Sequence, residues 1–182
     1  YDGDLLYEET LTKNRLCEDY ALDKDKLTAW HIRALTEALE ALYQLMDNKK
    51  PCPYFAVLRM DGDSMGEAVS KCTTAKEHRE FSKKISDFAG KVEKILQNFH
   101  CSKIYAGGDD VLALLPLSTC VSAAQALAEK FHEITGCRMS AGIAIAHHLS
   151  PLDVVLRESV NAEKAAKGII GKSALAIHAS KR

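Results

Sequence analysis

The sequence predicts an α/β chain of the α+β type on a ferredoxin-like plan: a mainly antiparallel sheet with helices, preceded by an N-terminal helical segment. Three observations predict it. The run YFAVLRM, residues 54–60, is short, apolar and rich in β-branched and aromatic side chains, with prolines before it and D-G-D after it, the pattern of a buried strand. Phe81, Ile85, Phe88, Val92, Ile95 and Phe99 recur at spacings of 4, 3, 4, 3 and 4, one core-facing stripe of an amphipathic helix. The runs KIYA and VLALL are joined by Gly107, Gly108, Asp109 and Asp110, which reads as a β-hairpin with glycine at the positions needing positive φ.

Taken in order, residues 1–26 mix acidic and basic side chains without a period, and an extended arm or loop belonging to a larger context is expected there. The chain opens on Tyr1 rather than Met, as an excerpt or processed product would. From Leu27, the positions Leu27, Trp30, Ala34, Ala38, Ala41 and Leu45 recur every three or four residues, predicting an amphipathic helix. N-K-K-P-C-P after Asp47 ends it. Beyond the first strand, the second helix and the hairpin, Val121, Ala124, Ala128, Phe131 and Ile134 mark a third helix closed by Gly136. RMSAGIAIAHH is a strand. A fourth helix covers 151–166 with Leu152, Val155, Leu156 and Ser159 on one side, and SALAIH, 173–178, is the last strand. The order βα, ββ, αβ, αβ is the ferredoxin-like arrangement with helices on one sheet face, extended by one α-β unit. The division expected is residues 1–50, an N-terminal arm and helix, and 51–182, the sheet domain.

Composition narrows the function classes. A chain of 182 residues can bury roughly 70% of its extended-chain surface. Hydrophobic residues make up 47% and charged ones 27%, with formal net charge -1, a globular balance without a polyanion-binding excess. The longest apolar runs, VLALLP and AGIAIA, fall far short of the roughly 20 residues of a membrane span, so no membrane partner is expected. Six cysteines lie 17 to 35 residues apart with no C-x-x-C pair. That spacing excludes a zinc ribbon or redox pair and points to reduced, buried packing residues of a cytoplasmic protein.

The acidic clusters carry the chemistry. Taken alone, G-G-D-D is more often a hairpin turn, and D-G-D more often a solvated strand end or helix cap. In a βαββ arrangement, however, the strand ending in D-G-D and the hairpin carrying G-G-D-D are usually sheet neighbours, so Asp61 and Asp109 can face one another. Crowded carboxylates repel and raise each other's pKa, a penalty that a divalent cation removes. Oxygen ligands at strand ends, with positions left for water and phosphate, describe a magnesium site for phosphoryl or nucleotidyl transfer.

The strings VLRMDGDSMGE, IYAGGDDVLALLPL, SAGIAIAHHLSPL and NAEKAAKGIIGKSALAI, in that order, resemble the catalytic palm of the large subunit of type III CRISPR effector complexes. The Cmr subtype is most similar, within the wider palm superfamily of GGDEF cyclases and polymerases. The opening YDGDLLYEETLT also looks like the linker before that palm. The resemblance implies synthesis of cyclic oligoadenylates from ATP once the complex has bound target RNA. It implies two divalent ions, Mg2+ or Mn2+, held by Asp61, Asp109, Asp110 and the carbonyl of Gly62, with the three aspartates catalytic. It further implies nucleotide contacts from Gly62, Asp63, Ser64, Met65 and Gly66, which precede a helix, from Gly107 and Gly108, and from Lys164 and Lys167. On composition alone, the two lysines are equally the solvated face of a helix. The implied partners are ATP, the other subunits of a CRISPR ribonucleoprotein, guide and target RNA indirectly, and a second palm in cis or in a homodimer. The readings that compete are a stand-alone homodimeric dinucleotide cyclase and a noncatalytic palm acting as a scaffold.

Several motifs mislead. GIIGKSA resembles the end of a Walker A loop, but Ala166 stands where the first glycine belongs and the segment runs from helix to strand; Lys172 is nonetheless expected near the nucleotide. His147 and His148 are adjacent in a strand and should point to opposite faces, with one of them approaching the site. No His-Asp dipeptide occurs, so the family's HD nuclease is not in this segment. Val111 after G-G-D-D, and NFHC in place of an upstream R-x-x-D, weigh against cyclic di-GMP synthesis.

Overall fold

The computed structural model describes residues 3–180, and the chain divides into two compact units, Tyr1–Pro53 and Tyr54–Arg182. In the first unit, 3-10 turns at Gly3–Leu6 and Glu8–Thr10 lead into α1, Lys13–Asp19, and then α2, Ala29–Leu45. The expectation of an irregular arm over 1–26 is therefore corrected. Thr12 caps α1 by accepting from the Arg15 backbone N–H, and Arg15 pairs with Asp4 at 2.8 Å and Asp19 at 3.0 Å. Leu11, Leu16, Cys17 and Leu27 close a small core with Leu39 and Tyr43. These apolar residues are too sparse to show a period. The α2 face is also corrected: Trp30 and Leu45 are 71% and 85% exposed, and the buried stripe is Leu39 and Tyr43, with Ile32 packed beside them. Alanines at 34, 38 and 41 carry too little apolar area to fix a face, and Tyr43, whose hydroxyl donates to the Leu6 carbonyl at 2.6 Å, decides it.

The second unit is a five-stranded sheet in the order β2-β3-β1-β4-β5. Its strands are β1, Tyr54–Gly62; β2, Ser102–Gly107; β3, Asp110–Pro116; β4, Met139–His147; and β5, Leu175–Ala179. All pairs are antiparallel except β4 with β5. The helices are α3, Met65–Ser70; α4, Ala75–Gln97; α5, Cys120–Thr135; and α6, Leu152–Lys167. The mixed, mainly antiparallel architecture is the one expected from sequence.

Strand parity assigns the layers. Ala56, Leu58 and Met60 of β1 join Val111, Ala113 and Leu115 of β3 and Ile143 of β4 under α4 and α5, whose Phe88 and Phe131 meet edge to face at 4.9 Å. Val57, Ala144 and Ala146 point the other way and pack on Val155 and Leu156 of α6. The sheet is thus helix-covered on both faces, not on one as expected, because β1 and β4 are apolar at successive positions and need cover on both sides. Within α6, Val155 and Ser159 are buried while Leu152 is 54% exposed, so Leu152 is not part of the packing side. Gly136 ends α5 in the left-handed region at φ 76, as expected of a helix-terminal glycine.

Two local expectations are revised. In the hairpin, Gly107 pairs with Asp110, and of the two glycines Gly108 alone has positive φ, at 65, the glycine-first pattern of a two-residue loop. Gly107 is needed for space: a Cβ there would run into the Tyr105 ring. Of the cysteines, Cys17, Cys101 and Cys120 are buried and Cys72 and Cys137 half-buried, whereas Cys52 is exposed; all are free thiols. No helix among the described residues is long and apolar enough to cross a membrane.

Candidate metal and nucleotide site

The register of the sheet builds the site. Met60 pairs with Val111, so the next residues outward, Asp61 and Gly62 on one strand and Asp110 and Asp109 on the other, converge at one sheet end. Asp110 has the parity of Leu112 and Leu114 and lies on the α6 side, as Asp61 does with the parity of Val57. The Asp109 carboxylate lies against Gly62, where a Cβ would stand 2.7 Å from Asp109 Oδ2 and 2.7 Å from Met65 Cγ. Asp61, Asp109 and Asp110 are all half-buried. Asp109 Oδ2 and the Met65 side chain close on Gly62 because it has no Cβ, and the carboxylates gathered at this sheet end are hard oxygen donors of the kind a divalent ion takes.

Across from the carboxylates stands α6. Gly142, cross-strand partner of Arg59, has no side chain, and a Cβ there would meet the Glu163 backbone nitrogen and stand 2.7 Å from Ala162 C and Glu163 Cα. Helix backbone therefore rests directly on β4. Four helical residues rise about 6 Å and two strand residues advance about 6.7 Å, so Glu163 and Lys167 on α6 match Arg59 and Asp61 on β1. The pairing follows: Arg59 Nε lies 3.3 Å from Glu163 Oε2, Lys167 Nζ lies 3.5 Å from Glu163 Oε1, and Lys167 forms an ion pair with Asp61 Oδ2. Glu163 is 8% exposed. Burial, then the positive charges of Lys172 and Arg59, push the Lys167 ammonium below the ordinary lysine value. Lys167 thus places a positive charge on Asp61.

The remaining expected residues separate into distinct settings. The Asp63 carboxylate is buried and accepts from Ser140 Oγ at 2.8 and 3.0 Å and from the Ser173 backbone N–H at 2.8 Å. Its own N–H donates to the Arg138 carbonyl at 2.8 Å. Asp63 thereby ties the loop before β5 to the ends of β1 and β4. Ser64 is left-handed at φ 53 and its hydroxyl accepts from Lys172 Nζ at 3.1 Å. Gly171, Lys172 and Ser173 all have positive φ, strained at the two non-glycine residues, and this turn carries Lys172 to Ser64. Met65 and Gly66 lie inside α3 rather than ahead of a helix, with Met65 half-buried and Gly66 exposed. Gly107 and Gly108 sit at the hairpin tip, and Lys164 is exposed on α6, one turn from Lys167.

The histidines lie elsewhere. His147 pairs with Tyr54 at the start of β1 while Met139 pairs with Gly62, so the antiparallel register carries His147 to the opposite end of the sheet. His148 falls beyond the strand, free of its alternation, and the two rings stack 4.6 Å apart. Sequence reasoning missed Arg59, Glu163 and Ser140. Arg59 had a signal, being the lone charge inside an apolar strand; Glu163 had a weaker one, four residues before Lys167.

Comparison with known proteins agrees with this geometry. Residues 54–176 match the family described as "Cas10/Cmr2, second palm domain". The chain is 28% identical over its whole length to the "CRISPR system Cmr subunit Cmr2" of Pyrococcus furiosus, of which it spans 24%. Among solved structures, it resembles the "Csm1-Csm4 cassette in complex with cA4" with TM-score 0.53 and 18% identity, over 65% of this chain and 20% of that one. It also resembles the active GGEEF domain of a diguanylate cyclase from Vibrio cholerae with TM-score 0.54 and 15% identity, over 78% of this chain and 90% of that one. The five-stranded sheet with its two acidic clusters at one end is thus a palm, and the chain belongs to the Cas10/Cmr2 second palm domain family.

Proposed function

We propose that this chain is the nucleotidyltransferase palm of a type III CRISPR effector large subunit, joining ATP into cyclic oligoadenylates when the complex has bound target RNA. The observation that carries the reading is the Asp109 carboxylate lying against Gly62, the residue that follows Asp61 in β1. Asp61, Asp109, Asp110 and the Gly62 carbonyl would hold two divalent ions, Mg2+ or Mn2+. When bound, such ions lower the pKa of an attacking ribose hydroxyl and neutralise charge on the departing pyrophosphate. The chain's own residues position and neutralise. Lys167, Lys172 and Arg59 set positive charge beside the carboxylates for a triphosphate, and Ser64 to Gly66 with Gly107 and Gly108 offer backbone at the rim. Lys164, one turn from Lys167, reaches for the same phosphates. Asp63 acts by fixing the strained loop that presents Lys172. No protein nucleophile is required, so positioning and electrostatics supply the rate.

A cytoplasmic ribonucleoprotein with guide and target RNA is the setting for this activity, and a second palm, in cis or in a homodimer, completes the ATP site. The test is the full-length parent assembled with guide and target RNA, given ATP and Mg2+. Cyclic oligoadenylate is expected, and it should disappear when Asp109 and Asp110 are replaced by Ala; a fully target-bound complex that makes no product overturns the reading. The likeness to a cyclase domain over 90% of that domain's length favours a second reading, a homodimeric dinucleotide cyclase. Activity of this chain alone that rises with the square of its concentration would support it.

A further inference from the structure

The charges on the α6 side of the sheet form one line: Arg59, Glu163, Lys167, Asp61. Both oxygens of Glu163 are engaged, Oε2 by Arg59 at 3.3 Å and Oε1 by Lys167 at 3.5 Å, and the Lys167 ammonium is shared with Asp61. Glu163 cannot drift, because α6 lies on Gly142 at that residue and leaves the side chain 11% exposed. Lys167 can move, being the flexible end of a long side chain that is 30% exposed.

A divalent ion and an ammonium cannot share one carboxylate oxygen at contact distance, since their charges repel. Ion binding at Asp61 must therefore send Lys167 somewhere. Loss to solvent would remove a positive charge from the place where phosphates arrive. The second carboxylate is already within 3.5 Å of the ammonium, on the same helix one turn back.

Building on the metal-site reading above, we propose that Glu163 is a positioning residue that holds Lys167 and receives it from Asp61 when a divalent cation binds. Lys167 thereby exchanges one carboxylate for another without leaving the site. The exchange keeps Asp61 neutralised while no ion is present and keeps Lys167 beside the phosphates once one is. It also gives Glu163 an effect on ion affinity that acts through Lys167 rather than through bulk charge.

The test is Mn2+ affinity of the full chain, read from the free-ion paramagnetic resonance signal without nucleotide, in a double-mutant cycle. Lys167→Gln is expected to tighten Mn2+ binding about tenfold by removing the competitor. Glu163→Gln, which leaves Lys167 no second carboxylate, is expected to weaken it about tenfold. The double variant should match Lys167→Gln, because Glu163 has no cation left to receive. Equal weakening by Glu163→Gln in both backgrounds overturns the exchange and leaves a plain charge effect, with the metal site intact. Mn2+ binding that survives Asp61→Asn with Asp109→Asn, or its absence from the unaltered chain, overturns the metal site and the exchange together. Should Glu163→Gln fail to fold, Lys167→Gln decides alone: unchanged or weaker binding overturns the proposal.

Discussion

The Asp109 carboxylate occupies the space into which a side chain on Gly62 would project, with Oδ2 2.7 Å from the position of a Cβ. Gly62→Ala should push Asp109 and Met65 aside. Since Met65 is flexible and half-buried, the fold should survive with a loss of about 1–3 kcal/mol. Nucleotidyl transfer should fall about a hundredfold, because displacing a reacting group by about an ångström costs that much. Thermal melts together with product formation by the assembled complex separate the two effects.

Gly142 faces backbone, not a side chain end. A Cβ there would meet Glu163 N and stand 2.7 Å from Ala162 C, and helix backbone cannot yield as Met65 can. Gly142→Ala should cost more stability than Gly62→Ala, at or above the upper end of the 1–3 kcal/mol typical of overpacking. Urea unfolding of the two variants side by side gives the order; equal losses would contradict the close approach of α6.

The Asp63 carboxylate holds two donors at once, the Ser140 hydroxyl and the Ser173 amide. Asp63→Ala should strand the Ser140 hydroxyl, which is fully buried, and free the Ser173 amide, for a loss of about 1–3 kcal/mol. Mn2+ affinity should change little if the Asp63 carboxylate serves the loop and not the ion. A loss as complete as that of Asp61→Asn would instead make Asp63 a ligand. Protease cleavage near Gly171 should accelerate in the same variant.

A pH dependence follows from the start of α4. Thr73 N–H donates to Glu77 Oε2 at 2.7 Å and Thr74 N–H at 3.0 Å, and these bonds hold the Glu77 carboxyl below its ordinary value of 4.5. A depressed folded pKa means that the unfolded chain binds the proton more readily, so this stability is full above about pH 4.5 and is lost as pH falls through the folded value. Glu77→Gln should lose stability at neutral pH and flatten the acid limb of the stability profile, measurable by urea melts from pH 7 to pH 3.

How far the site was legible depended on what each residue needed from its neighbours. Asp61 and Asp109 could be read because each follows an apolar run of known parity, and the hairpin order sets them side by side. The sheet order follows from the same βαββ logic. The second helical layer could not be read: the period of α6 shows an amphipathic helix but not which face it covers, and that choice depends on β1 and β4 carrying apolar residues at successive positions through their middles. Glu163 had only its spacing to Lys167 as a signal, for a related reason. A glutamate on a helix reads as solvent-facing, and what buries it is a glycine more than twenty residues earlier, on another element. In the first unit, ion pairs and a tyrosine hydroxyl, rather than a hydrophobic period, order a segment that reads as irregular.

The alternation along β1 carries a genetic consequence. Successive residues of the strand serve two masters: Leu58 and Met60 fill the larger core, while Arg59 and Asp61 face α6. Loss or gain of one codon between Tyr54 and Arg59 would not merely shift the strand; it would exchange the sides, driving guanidinium and carboxylate into the layer of Phe88 and Phe131 and turning aliphatic side chains toward α6. Indel scanning across this stretch should find changes of a single codon lethal and changes of two codons, which restore the alternation, less severe. The parity of the codon count and the sidedness of the sheet are, over this stretch, the same constraint.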